Sequence, residues 1–201
     1  MSFTLFATAI ISAMLINNVI LMQFLGICPF LGVSKKTDAA IGMSAAVLFV
    51  MVISSAITYT LYDLVLYKYG IPYISTIAFI LVIASLVQFV EMFIKKTSKS
   101  LYKSLGIYLP LITTNCAILG ISEGNITNIW TETMPYWQGL FIAISTALGT
   151  GLGFGLIIFA FSSIREKLES SNVPDAWKGV PISLVVAGIM SLAFLGLAGI
   201  I

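Results

Sequence analysis

Six long apolar stretches separate the few charged residues of this chain, and they constrain its fold more than any other feature. Each approaches or exceeds the roughly 20 residues that a helix needs to cross about 30 Å of hydrocarbon. Charged residues make up only 9% of the chain, against about 25% in soluble domains, so most of the exterior must face lipid. The predicted spans are approximately 3–26, 40–66, 71–94, 105–121, 139–164 and 180–201.

The same stretches predict a fold made of helices. A membrane barrel consists of alternating segments of about 10 residues, which this sequence lacks, and helices are the other way to satisfy backbone polar groups in lipid. We therefore predict an all-α polytopic membrane protein with six transmembrane helices in a single domain, 1–201. The chain has no histidine and a net charge of only +2. These two facts exclude imidazole ligands and imidazole catalysis from the chain, and give no reason to expect nucleic acid as a partner.

The basic residues predict how the bundle is oriented. Nine of the ten follow spans 1, 3 and 5, and only Lys68 lies on the other side. Since cytoplasmic loops carry the excess of Lys and Arg, these three loops are expected in the cytoplasm and both termini outside it. The nine residues are Lys35, Lys36, Lys95, Lys96, Lys99, Lys103, Arg165, Lys167 and Lys178.

One short phrase occurs twice, each time with one of the two cysteines. It begins at Cys28 as CPFLGVS and at Cys116 as CAILGIS, three predicted spans later. An odd number of spans between the copies means that the two halves, approximately 1–95 and 96–201, run in opposite directions. Such inverted repeats place functional sites near the membrane midplane at the repeat interface, often where helices are broken.

Helix-breaking residues surround both cysteines. Gly26 and Pro29 flank Cys28, and Pro110 precedes Cys116. Because proline removes a hydrogen-bond donor and clashes with the preceding turn, we predict that helices 1 and 4 are broken at the cysteines. Half-helices would let both sulfurs reach one point near the midplane, whereas unbroken helices would leave them near opposite faces.

Two thiols in such a setting suggest a shared metal site. Soft thiolates bind zinc, copper(I) or iron–sulfur clusters, and both zinc and [2Fe–2S] centres normally take four ligands. This chain has two cysteines, so a complete site would need two more thiolates from another protein chain. The alternative is that Cys28 and Cys116 are ordinary small apolar side chains, as buried free cysteines often are.

The sequence around the cysteines closely resembles the A-subunit family of the Rnf electron-transport complex. The resemblance covers essentially the whole chain, and the two cysteine segments are its most specific part. It also extends, more distantly, to the E subunit of the sodium-pumping NADH:quinone oxidoreductase. The matching segments are NNVIL at 17–21, FLGICPFLGVSKK at 24–36, LGIYLPLITTNCAILG at 105–120, IREK at 164–167 and AGIMSLAF at 187–194.

The resemblance implies a function that composition could not indicate. Rnf complexes, translocases of the bacterial cytoplasmic membrane, move electrons between reduced ferredoxin and NAD⁺ and couple this to Na⁺ or H⁺ translocation. In the family, the A subunit pairs with the homologous E subunit, and the other Rnf subunits are B, C, D and G. Each of the pair contributes two cysteines to a [2Fe–2S] cluster inside the membrane. Carried over to this chain, the iron ligands are Cys28 and Cys116, and no complete active site lies in one chain.

Weaker features leave alternatives open. Thr114 and Asn115 could hydrogen-bond the Cys116 sulfur and raise a cluster's potential, or they could satisfy the free carbonyls of a broken helix. The glycines of span 5 form overlapping Gly-x-x-x-Gly pairs, which favour close helix packing. The competing functions are an E-type subunit of the NADH:quinone oxidoreductase, a secondary ion transporter without a cofactor, and a structural anchor.

Overall fold

The fold consists of helices joined by turns, without strands in any described segment. The computed structural model describes residues 3–34, 37–97, 111–112, 114–130, 135–170, 174 and 177–198. The predicted fold class, an all-α polytopic membrane protein, is confirmed by these helices. Lys35, Lys36, Lys99, Lys103 and Pro110 lie outside the described residues.

Among the described residues, three helices are long and apolar enough to cross a membrane, and others are shorter. The long ones contain the apolar segments Ala39–Leu66, Pro72–Met92 and Tyr136–Leu168, which correspond to predicted spans 2, 3 and 5. The helices are α1 Phe3–Ile11, α2 Ile27–Val33, α3 Thr37–Leu61, α4 Ser75–Thr97, α5 Cys116–Asn128, α6 Tyr136–Glu169 and α7 Val180–Ala198. Wider π-helical turns extend α1 to Ile16 and α3 to Leu66, and a 3₁₀ turn, Pro72–Ile74, precedes α4.

Predicted span 1 is not one helix. Its helical part ends at Ile16, residues 17–26 form irregular turns, and α2 then begins at Ile27. The irregular segment therefore ends at Gly26, two residues before Cys28, where the break is predicted. Pro29 lies in the first turn of α2, where its missing N–H would have had no helical partner.

Predicted span 4 also differs from its helix. The prediction covers 105–121, but α5 begins at Cys116 and continues to Asn128. Of the preceding part, the structure describes residues 111, 112, 114 and 115: the first two are helical, and residue 114 lies in a turn that leads to Asn115. Both cysteines thus lie at the start of a short helix that follows an irregular turn.

The glycines of α6 allow two other helices to approach it closely, as the Gly-x-x-x-Gly pattern predicts. A Cβ atom at Gly149 would lie 2.6 Å from the Ile10 carbonyl oxygen, and one at Gly153 would lie 2.7 Å from that of Met14. On the neighbouring face, a Cβ at Gly151 would lie 3.1 Å from Leu48. The first two glycines accommodate the α1 segment and the third accommodates α3, so α6 is the central helix of the bundle.

Side-chain contacts define two ends of the bundle. At one end, the Thr37 hydroxyl donates to the Glu166 carboxylate (3.2 Å), which joins the start of α3 to the end of α6. At the other end, the Trp130 indole N–H donates to the Asp63 carboxylate (2.9 Å). The charge pattern assigns the loops beside Glu166 and Asp63 to opposite sides of the membrane, and these two residues lie at opposite ends of the bundle. Which end faces the cytoplasm stays a prediction.

Candidate functional site

The two cysteine segments meet at a hydrogen bond. The backbone N–H of Gly26, in the turn before α2, donates to the Cys116 sulfur at the start of α5, with N and Sγ 2.9 Å apart. Cys28 follows Gly26 by two residues, a chain length that spans at most about 7 Å. The fold therefore brings together the two repeated phrases that lie far apart in the sequence.

Only glycine fits the position that makes this bond. Gly26 has φ +80°, in the left-handed region that side chains rarely adopt. A Cβ atom there would lie 2.9 Å from Cε2 of Phe154 and 3.3 Å from both the Ala117 Cβ and the Asn115 Oδ1. The backbone can come this close to Cys116 because residue 26 has no side chain.

Both thiols are free and exposed in this chain. Neither Cys28 nor Cys116 forms a disulfide, and each presents surface to the outside of the protein. A buried apolar role, the ordinary alternative for such residues, would instead have enclosed them in the core. The exposure favours sulfur atoms that meet something outside this chain.

Asn115 caps the helix that carries Cys116. Its Oδ1 accepts a hydrogen bond from the Ala117 backbone N–H (3.1 Å), the usual N-cap arrangement. The side chain is 4% exposed, and its Nδ2 has no hydrogen-bond partner among the described residues. The structure thus shows Asn115 accepting from a free backbone N–H, which differs from the two roles that the sequence left open for it, a hydrogen bond to sulfur or to a free carbonyl. Thr114, the other candidate, is exposed in the turn before Asn115.

Arg165 holds the far end of the helix that carries Cys28. Its guanidinium Nη1 donates to the Leu31 carbonyl (2.8 Å) and to the Ser34 hydroxyl (2.9 Å). The arginine is 6% exposed. The last carbonyls of a helix have no helical partner, and a cation beside them is favourable. Arg165 therefore fixes α2 to α6.

Residues 18–21 of the irregular turn before α2 are buried, and the turn forms hydrogen bonds with the π-helical extension of α1 and with α7. Asn18, 1% exposed, accepts from the Ile20 N–H (3.1 Å) and donates to the Met14 carbonyl (3.1 Å). The Leu21 carbonyl accepts from the Ser191 hydroxyl of α7 (2.6 Å). Irregular backbone is tolerated at membrane depth where protein encloses it, and these contacts provide that enclosure.

A polar crevice of about 410 Å³ lies between the α1 segment, α5 and α6. The described residues that line it carry no charge. Its polar lining consists of Ser12, Asn17, Gln23, Asn125, Asn128, Thr146 and Thr150. Helices α5 and α6, which line the crevice, also supply Ala117 and Phe154 beside Gly26.

The donor set fits half of a thiolate-ligated cluster. Within the described residues, no three His, Cys, Asp or Glu side chains come together. Two open sulfurs, a backbone N–H directed at one of them and a buried amide donor on the adjacent residue suit a metal–sulfur group that a second molecule completes. This fit rests on the chemistry of the side chains and on the close approach of the backbone to Cys116 that glycine at position 26 allows.

Sequence reasoning identified the cysteines but missed the residues that position them. Charge patterning places Arg165 only in a basic loop, although it is the one arginine beside nine lysines. Asn18 lies in a segment that carries the family resemblance, 17–21, but nothing in the sequence assigned it a role. The signal for Asn18 was polarity inside an apolar stretch, since such side chains in membrane helices usually have specific partners.

Comparison with known proteins gives one consistent result. Residues 6–201 match the Rnf-Nqr family, described as "Rnf-Nqr subunit, membrane protein". The A subunit of the Na⁺-translocating ferredoxin:NAD⁺ oxidoreductase complex from Acetobacterium woodii is 53% identical over 94% of each chain. The A subunit of the ion-translocating oxidoreductase complex from Syntrophotalea carbinolica is 50% identical over 96% of this chain and 95% of that protein. Its counterpart from Colwellia psychrerythraea is 47% identical over the same shares.

Proposed function

The chain belongs to the Rnf-Nqr family of membrane subunits, and from this membership we propose that it is the A subunit of an ion-translocating ferredoxin:NAD⁺ oxidoreductase. In this role it is one part of a translocase that couples electron transfer to Na⁺ or H⁺ movement. Relatives that carry the A-subunit name, at about half identity over nearly the full length, support this assignment. We further propose that Cys28 and Cys116 supply two of the four ligands of a [2Fe–2S] cluster, and that the homologous E subunit supplies the others.

The observation that carries the cluster proposal is the hydrogen bond from Gly26 to Cys116. It joins the two cysteine-bearing turns, and both sulfurs are open to a partner. A [2Fe–2S] centre takes four cysteine thiolates, and this chain has only two cysteines. A pseudo-symmetric partner with the same arrangement would complete the set.

The depth of the turn supports a relay across the membrane. Gly26 packs against Phe154, which lies near the middle of the 34-residue helix α6. At about 1.5 Å per residue, α6 is about 51 Å long, and Phe154 is about 27 Å from its first residue. If α6 is centred on the bilayer, the cysteine turns lie near the midplane. A redox group held there would divide the membrane crossing into two shorter transfers.

The residues of this chain have distinct parts in the proposed function. When bound, the cluster accepts and passes on single electrons. Cys28 and Cys116 would hold it, the Gly26 N–H donates to the Cys116 sulfur, Asn115 caps the helix that carries Cys116, and Arg165 fixes the helix behind Cys28.

Replacing either cysteine by serine tests the proposal. In the purified assembled complex, we expect Cys28→Ser and Cys116→Ser each to abolish the [2Fe–2S] electron paramagnetic resonance signal and ferredoxin-driven NAD⁺ reduction together. Oxygen is a poor substitute for the soft ligand, while the volume hardly changes. Each single variant should be nearly as damaging as the double, since the ligands act as one unit.

Ala45→Ser is the matched control, because Ala45 lies on an exposed face of α3 and the change introduces the same hydroxyl. It should retain signal and turnover. Unchanged signal and turnover in both cysteine variants would contradict the cluster assignment. Turnover that survives loss of the signal would show that the cluster is not on the electron path.

Iron and acid-labile sulfide content tests whether the E subunit supplies the other two ligands. The chain purified alone should hold no stable cluster, while the pair co-purified with the E subunit should contain two irons and two acid-labile sulfides, by the definition of the centre. A full cluster in a verified monomer would refute sharing between two chains. Absence of iron from the intact pair would favour an anchor or a transporter without a cofactor.

A further inference from the structure

We propose that the backbone N–H of Gly26 sets the reduction potential of the cluster held at Cys116, and that this requirement is why residue 26 is glycine. The inference rests on the proposed function and adds a positioning residue to it. Its starting point is the N–H···S hydrogen bond of 2.9 Å between the two turns.

The donor acts on the sulfur charge. Reduction adds one electron to the cluster without making or breaking a bond, and part of the added charge resides on the cysteine sulfurs. A hydrogen bond to a charged acceptor strengthens as that charge grows, so the Gly26 N–H stabilises the reduced form more than the oxidised form. Hydrogen bonds to the sulfurs are among the factors that set the potentials of iron–sulfur centres. The bond therefore raises the potential at Cys116.

The position of the donor depends on the absence of a side chain. The φ angle of +80° turns this N–H toward α5, and the turn packs tightly against Phe154. Alanine at position 26 would be strained in the left-handed region and would also push against Phe154 and Ala117. Either response moves the N–H away from Cys116 while leaving both ligands in the chain.

The bond also reports on the packing of the two half-helices. Gly26 precedes the helix of Cys28, whereas its N–H contacts the sulfur of Cys116. A change in the relative position of α2 and α5 would alter this distance directly. The potential at Cys116 is therefore coupled to how closely the two repeated segments approach one another.

The test is a redox titration of the assembled complex, followed by the electron paramagnetic resonance signal of the reduced cluster. For Gly26→Ala we expect a lower midpoint potential, by about the 59 mV that corresponds to a tenfold change in a one-electron equilibrium. Iron and sulfide content should stay at the wild-type level. Gly32→Ala is the matched control, because a Cβ at position 32 would make only an ordinary contact, 3.6 Å from Leu111. The midpoint potential of the cluster in this variant should equal that of the wild type.

A second variant covers the case in which Gly26→Ala does not assemble. Gly26→Ala combined with Phe154→Leu removes the ring atom nearest the new methyl group, and Phe154→Leu alone is its control. The double variant should show the lowered potential and the single variant the wild-type potential. A cluster with unchanged potential in either Gly26→Ala protein would overturn the inference.

If neither variant holds a cluster, the wild-type complex decides. With ¹⁵N-glycine incorporated, pulsed electron paramagnetic resonance should detect a glycine nitrogen coupled to the reduced cluster, and its absence would overturn the inference. These outcomes are separate from the proposed function itself. An iron-free wild-type pair would refute the cluster, whereas a normal cluster without the shift or the coupling would refute only the role of Gly26.

Discussion

Arg165→Ala should destabilise the protein strongly, because one buried cation holds the end of α2. The guanidinium makes two hydrogen bonds, at 2.8 Å to the Leu31 carbonyl and at 2.9 Å to the Ser34 hydroxyl. Hydrogen bonds that involve a charged group contribute about 1.5–3 kcal/mol each. Burying the guanidinium itself carries a cost that the substitution recovers, so we take the lower end and expect a loss of about 3 kcal/mol.

The assay is thermal inactivation of the purified complex, with immunodetection of this chain in the soluble fraction. At about 2–4 °C per kcal/mol for a chain of this size, the midpoint should fall by about 6–12 °C. Arg165→Lys should give an intermediate loss, since an ammonium keeps the charge but its shorter, differently shaped side chain does not place a donor where the guanidinium Nη1 contacts both oxygens.

Lys167→Ala is the control, because Lys167 lies two residues further along α6 and its side chain is exposed. Its midpoint should stay within about 2 °C of the wild type, as surface substitutions usually cost less than about 0.5 kcal/mol. If Arg165→Ala and Lys167→Ala are equally stable, Arg165 does not hold α2. The reasoning from its burial and contacts would then be wrong.

Two further predictions concern packing and orientation. Gly153→Ala should lower the free energy of unfolding by about 1–3 kcal/mol, because the new Cβ would meet backbone atoms of Met14 that cannot move aside. Gly196→Ala, whose Cβ would meet nothing within 4 Å, should be near neutral by the same thermal assay. Equal stabilities of the two variants would contradict the close approach. Cysteine at Lys68 should react with an impermeant thiol reagent from outside intact cells and cysteine at Lys99 should not, with wild-type labelling subtracted. Labelling of the Lys99 variant would refute the predicted orientation.

The long helices could be predicted from the sequence because their signal is local. Spans 2, 3 and 5 are unbroken apolar stretches bounded by charged or polar residues, and each became a helix whose ends lie within a few residues of the prediction. Lipid leaves little alternative for such a stretch, since every backbone group needs a partner within the segment. Only the ends shifted, as with α6, which continues past residue 164 to Glu169.

The broken helices could be predicted only in part. Gly26 does mark the break, but Pro29, the other residue on which the prediction rests, lies in the first turn of α2. The same proline is compatible with a helix start and with a break, and the choice depends on Asn18 and on distant partners of the turn. The sequence could show that Cys28 and Cys116 occupy equivalent positions of the repeated phrase, but not which backbone group donates to Cys116. That contact joins residues 90 positions apart and has no local signature.

The contacts of the irregular turn have a consequence for how the chain is made. The Leu21 carbonyl is satisfied by Ser191, 170 positions later in the chain, and the end of α2 by Arg165, 134 positions after Leu31. At a synthesis rate of about 5–20 residues per second, the ribosome needs roughly 10–35 s to reach Ser191 after Leu21. During that interval the amino-terminal segment has entered the membrane while its partners do not yet exist. Until α6 and α7 are made, the Leu21 carbonyl and the end of α2 lack these partners, so the first part of the chain to be translated is among the last to complete its contacts.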